Sequence, residues 1–243
     1  MSINRPTSLL RDMAVAARSI SAADTLEAAA EQSVQFVAAH IDGCAAAGIS
    51  IARSAAIETF AASDALARSG DQLQADLDEG PALDAVVETP TVYAPDLASD
   101  PRWPQWAPRA VADLGILSMV SYRLFASDET IGALNLYGKV PDAFDDDSRE
   151  LGYVAATQIA VVLTTQRKEQ NLRSALVTRS AIGQATGILM ERFDLEAHQA
   201  FNVLRRSSMT RNIPLRDVAE ELVTTRRMPG IKAPERRTAE PRV

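Results

Sequence analysis

The chain has 243 residues, 47% apolar and 23% charged, with a formal net charge of −7 and one cysteine, Cys44. That length holds one medium domain plus a small one, and a lone cysteine excludes an internal disulfide or a multi-cysteine metal site. No apolar run approaches the roughly 18 residues that a membrane span needs, so no membrane partner is expected.

The charge is unevenly placed. Residues 167–243 carry 15 Lys and Arg against 9 Asp and Glu, while residues 1–166 carry 10 against 23. An acidic body with a basic end predicts an anionic partner for that end, nucleic acid before membrane.

In chain order, residues 7–19 and 24–40 show apolar spacing of three and four, as in Leu26, Ala30, Val34, Val37 and Ile41. Two helices follow from that spacing, the second with Ser21 or Asp24 as cap. Arg11 and Asp12 interrupt the first apolar stretch, which argues against a secretory leader and for a cytoplasmic location. Residues 45–52 and 56–62 read as strands joined by a tight turn near Ser54. The stretch 63–89 reads as helical and polar with an end around Gly80-Pro81, and 91–94 as a short strand between prolines.

Four prolines and both tryptophans mark 95–108 as a long ordered loop, followed by a helix over 105–114. Residues 116–125 and 130–137 form an antiparallel pair, with Ile131, Ala133 and Asn135 on one face and Leu134 and Leu136 on the other. Asp145, Asp146 and Asp147 then suit a helix N-terminus through its dipole.

From residue 148 to 193 there is no proline, which predicts one long helix. Residues 151–163 are apolar nearly all round and are expected to be buried on the sheet; 164–171 hold no apolar residue and are expected in water. Beyond them Leu172, Ala175, Ile182, Leu189 and Phe193 fall on a seven-residue grid, with Arg179 and Thr186 as polar entries. That grid predicts a homodimer through the 148–193 helix. Two short helices follow: one capped by Asp194 and burying Ala197, Ala200, Phe201 and Leu204, the other opening on Pro214 and burying Leu215, Val218, Ala219 and Leu222. Residues 226–243, rich in Arg, Pro and Glu, are expected to be disordered.

The string from Arg179 through Ile182, Gly183, Gln184, Ala185, Thr186, Gly187 and Leu189 to Met190, continued by Ala200-Phe201, Leu204-Arg205, Ser208-Met209 and Asn212, resembles the ANTAR domain. That resemblance covers about 50 residues (172–223) and implies a three-helix module that binds RNA stem-loops. Many members carry lysine where this chain has Thr186. Residues 24–165 resemble a GAF domain, through Gly80-Pro81-Ala82-Leu83, the strand Ile131 to Leu136, and Phe144 followed by acidic residues. Together they resemble GAF–ANTAR regulators. The resemblance implies an α+β chain: a GAF-like antiparallel sheet flanked by helices, joined by a long helix to a three-helix all-α module. It also implies transcription antitermination, with a small ligand or signalling protein at the GAF domain altering the dimer. The expected organisation is an N-terminal helix over 1–23, a sensory domain over 24–165, an RNA-binding domain over 166–225 and a tail over 226–243.

RNA hairpins offer stem phosphates to guanidinium groups and loop bases to short polar side chains. Arg179, Arg205, Arg206 and Arg211 suit the first, and Gln184, Thr186, Ser208 and Asn212 the second, while Gly187 permits close approach. Taken singly, such residues are more often solvated or packed; taken with the family pattern they form the expected RNA-binding set. Ile182, Leu189, Met190, Phe201 and Leu204 read as module core. Tyr93, Trp103 and Trp106 are weaker candidates for lining a ligand pocket. No G-x-S-x-G, P-loop or H-E-x-x-H motif is present, so no catalytic residue, metal or cofactor is expected. The rival is a DNA-binding regulator using the last two helices as a helix-turn-helix, with base contacts near Arg216.

Overall fold

A computed structural model describes residues 22–53, 56–126 and 129–227, with Arg18 and Ile20 ahead of them. The helix expected over 7–19, the turns near Ser54 and Ser127, and the tail beyond Arg227 lie outside the described residues. The chain divides into two units, residues 1–170 and 171–243.

In the first unit the elements are α1 (Leu26–His40), β1 (Ala46–Arg53), β2 (Ala56–Ala62), α2 (Ala65–Leu77), α3 (Pro81–Val87), β3 (Thr91–Ala94), α4 (Trp106–Leu114), β4 (Ser118–Ala126) and β5 (Glu129–Gly138). The start of α5 (Asp146–Phe193) closes it. The five strands form one antiparallel sheet in the order β2-β1-β5-β4-β3. One face is packed by α1 and the first part of α5, through Val34, Val37, Leu134, Leu136, Ile159 and Leu163. The other is packed by α2, α3 and α4, through Ala67, Ala82, Trp106, Met119 and Tyr137.

Local chemistry sets the boundaries. Thr25, not Ser21 or Asp24, caps α1: its extended backbone aims Oγ1 at the first turn, where it accepts from the Ala28 N–H at 3.1 Å. The helical stretch after β2 is two helices rather than one. Asp78 (φ 52°) and Gly80 (φ 141°) break it, and only glycine adopts the second conformation readily. Pro81 then opens α3, where its missing N–H costs nothing.

Ile131 corrects the expected strand pattern. It packs with Leu134 and Leu136, not with Ala133. The β4–β5 register passes from Leu124–Gly132 to Phe125–Thr130, so Ile131 is the extra residue of a bulge and its parity flips. Gly132 beside it meets the Ser50 carbonyl where a Cβ would stand.

Asp145 caps α5 by accepting from the Ser148 N–H at 2.8 Å, and that bond holds its carboxyl below the usual range. The first part of α5 is buried on one side only. Ala155, Ala156, Ile159 and Ala160 face the sheet, whereas Tyr153 and Val161 are 54% exposed, correcting the expectation of all-round burial.

The second unit combines the rest of α5 with α6 (Ala197–Arg211) and α7 (Leu215–Thr225) around Ala185, Leu189, Ala200, Leu204, Val218 and Leu222. Asp194 is not the cap of α6. It adopts a left-handed backbone, and Glu196 occupies the cap, its N–H donating to the Gln199 side chain at 2.9 Å. Pro214 stands at the cap of α7, one place earlier than expected. The seven-residue grid is split: Ile182 and Leu189 serve this core, leaving Leu172 (66%) and Phe193 (47%) exposed, with Leu176 off the grid exposed beside them. Phe201 is 39% exposed, against its expected burial.

Candidate nucleic-acid interface

Helix α6, AHQAFNVLRRSSMTR, contains no carboxylate. Its inward side is Ala200, Val203 and Leu204, and helical spacing turns Arg205 and Arg206 outward, where both are exposed. Among the described residues no carboxylate pairs with either guanidinium, leaving their donors open to a phosphate.

Arg211 differs. Its Nη1 lies 2.8 Å from Glu221 Oε2 on α7, so a phosphate would compete with an existing partner. Ser208 and Asn212 build the α6–α7 turn: the Ser208 hydroxyl donates to the Ile213 carbonyl at 2.6 Å, and Asn212 (φ 51°) ends α6 in the left-handed region that asparagine tolerates. On α7, Arg216 lies 3.1 Å from Asp217 and 3.8 Å from Glu220, so this helix presents a neutralised cation.

The remaining sequence-derived residues lie on α5. Arg179 is exposed, and Gln184 is exposed with its Nε2 3.3 Å from Ser180 Oγ. The Thr186 hydroxyl donates to the Ile182 carbonyl at 2.7 Å and is half-buried, a use that removes it from a free polar surface. Ala185 is fully buried, whereas Gly183 and Gly187 are exposed and a Cβ on either would touch nothing within 4 Å. Neither glycine is needed for packing inside the unit, and each costs about 1 kcal/mol against alanine in a helix. With Leu172 and Leu176 they line the side of α5 turned away from the core. The set is therefore divided between α5 and α6.

In the first unit, Tyr93, Trp103 and Trp106 do not converge. Trp106 is fully buried and meets Trp103 edge-on at 6.0 Å, and the Trp103 indole donates to Asp84 at 2.9 Å. Tyr93 belongs to the opposite face of the sheet; its hydroxyl donates to Asp142 at 2.6 Å and the Arg149 guanidinium lies over its ring at 4.5 Å. A recess of about 420 Å³ lies between α2 and α4, bordered by Arg68, Gln72, Leu73, Arg109 and Asp113.

The feature the sequence reading missed lies beneath α2. Asp71 is 1% exposed and accepts from Asn135 Nδ2 at 2.8 Å and from the Tyr137 hydroxyl, while its Oδ2 has no partner. Asn135 also donates to Ser50 at 2.9 Å and accepts from Ser121 at 2.8 Å, extending a fully buried polar belt across β1, β5 and β4. Burial pushes the Asp71 carboxyl up to about 6, against the hydrogen bonds from Tyr137, Asn135 and Ser50 that favour its charged form. Its signal was present: Ala67, Asp71 and Gln74 share the inward spacing of α2. Cys44 donates its thiol to the Ala46 carbonyl at 3.2 Å, and burial pushes it up to about 12, leaving almost no thiolate near neutrality.

Comparison with known proteins matches residues 21–164 to a GAF domain model and residues 170–223 to an ANTAR domain model. No curated protein matches the chain. Among solved structures, the GAF domain of a phosphoenolpyruvate-protein phosphotransferase from Coxiella burnetii is 15% identical, with a TM-score of 0.55 over 70% of this chain and 99% of that one. A free methionine-R-sulfoxide reductase from Neisseria meningitidis gives 14% and 0.54, over 70% and 96%. A bacteriophytochrome from R. palustris gives 14% and 0.54, over 75% of this chain, which spans 42% of that longer one. At these identities the likeness shows the fold. Among the described residues no helix is long and apolar enough to cross a membrane.

Proposed function

The chain belongs to the GAF-domain family and carries an ANTAR domain behind it, and from that premise we propose a cytoplasmic, signal-responsive regulator that binds RNA stem-loops and acts by transcription antitermination. The observation that carries this reading is the contrast between the last two helices. Among the described residues Arg205 and Arg206 have no carboxylate partner on carboxylate-free α6, whereas Arg216 on α7 is held by Asp217 and Glu220. A helix-turn-helix reader of DNA needs free donors at the start of its second helix, and α7 offers a neutralised one.

Two copies pair along the outward side of α5, where Leu172 and Leu176 leave apolar surface uncovered and Gly183 and Gly187 admit a close neighbour. Both units share α5, so a change in pairing reaches both. The signal, a small molecule or a signalling protein, acts at the first unit. No catalytic role accompanies it. The sulfoxide reductase shares the fold alone, and the one cysteine here is a half-buried thiol that its surroundings keep protonated.

The test is a competition between hairpin RNA from a randomised-loop pool and duplex DNA of equal length, followed by sedimentation of the complex. RNA is expected to win with a steep salt dependence and two chains per complex. Tight duplex DNA binding with no retained RNA would overturn the reading.

A further inference from the structure

The outward face of α6 carries more than charge. Phe201 is 39% exposed and Met209 74% exposed, and spacing of four residues sets Arg205 between them on the same side. Among the described residues no ring stacks on Phe201 and no cation sits over it. A half-exposed aromatic ring gains little for the module by itself, since its core is closed by Ala200, Leu204, Val218 and Leu222 without it.

The neighbouring charges decide what covers the ring. A second copy meeting this face across a two-fold axis would bring its own Arg205 and Arg206 against the same pair, with no carboxylate on α6 to neutralise them. A polyanion meets no such penalty. A paired stem, however, presents phosphates and sugar edges, which gain nothing from a phenyl ring and a thioether. An unpaired base presents a flat π face beside its own phosphate, and every base can stack on an aromatic ring.

We propose that Phe201, flanked by Arg205 and Met209, is a stacking ledge for one unpaired base of the RNA loop, the two arginines holding the adjoining phosphates. This rests on the RNA reading above and adds where, and by which chemistry, a loop is told from a stem. Arg205 supplies the charge next to the stacked base; Met209 is the soft apolar edge beyond it.

The test compares the full chain with Phe201→Leu and Phe201→Trp, using one hairpin RNA that the unaltered chain retains from a randomised-loop pool. Leucine keeps the apolar contact inside the module and removes the π face; tryptophan enlarges it. Phe201→Leu is expected to weaken binding roughly tenfold or more, while the dependence on salt stays unchanged because stacking releases no counterions. Phe201→Trp is expected to bind at least as well as the unaltered chain. Thermal unfolding of all three should coincide, since the position is exposed. Equal affinity of Phe201→Leu overturns the ledge alone, and a shift in its oligomeric state instead makes the face a protein interface. An unaltered chain that retains no hairpin removes the RNA reading and the ledge with it.

Discussion

Replacing Arg205 and Arg206 together by alanine is expected to weaken hairpin RNA binding by roughly tenfold to a hundredfold at low salt. It should also flatten the logarithmic salt dependence by about one to two units. The expectation follows from their state in the free protein. Among the described residues neither guanidinium has a carboxylate to leave, so the full attraction of each is available to phosphate. Arg211→Ala serves as the internal contrast, because that side chain exchanges Glu221 for phosphate and its net gain is smaller. Affinity titrations over a range of salt concentrations read both quantities. A double variant with an unchanged slope would remove α6 from the phosphate contacts.

The second large effect concerns stability and pH. Asp71 is ionised only above about 6 in the folded chain, against an ordinary 3.8. The folded state therefore holds a proton that the unfolded state has lost between these values. Stability from this group is greatest below about 3.8, falls as pH rises through the window, and is constant above about 6. The full loss is on the order of 3 kcal/mol. Asp71→Asn retains an oxygen to accept from Tyr137 and Asn135 and cannot ionise. Its melting temperature relative to the unaltered chain is expected to rise between pH 4 and 7. Trp103 and Trp106, the only tryptophans, both lie in the first unit, so their fluorescence follows the relevant transition. A difference between the two chains that does not change with pH would contradict the assignment.

Much of this architecture was legible in the sequence because local periodicity dictates it. Helix and strand spacing along 24–193 requires no knowledge of partners, and the extents of β2 and β3 follow directly from their flanking residues. What escaped depended on residues brought together from afar. The parity of Ile131 is set by register against β4, which no single-strand pattern contains. The pairing of Arg211 with Glu221 needs the turn built by Ser208 and Asn212. Asp71 was hidden by its chemistry: a carboxylate reads as surface until Tyr137 and Asn135, more than 60 residues away, supply its donors. Phe201 failed in the opposite sense, its apolar character reading as core when Leu204 already fills that place. Ile182 and Leu189 fitted both a dimer grid and the module core, and they lie in that core; an apolar grid alone cannot say whether its partner is another helix of the same chain.

The central claim is that this chain meets RNA through α6. Photo-cross-linking the full chain to a retained hairpin carrying 4-thiouridine in its loop, then mapping the modified peptides by mass spectrometry, tests it most directly. Cross-links are expected on the segment spanning Ala197–Arg211. Cross-links confined to α7 or to the first unit would contradict the account.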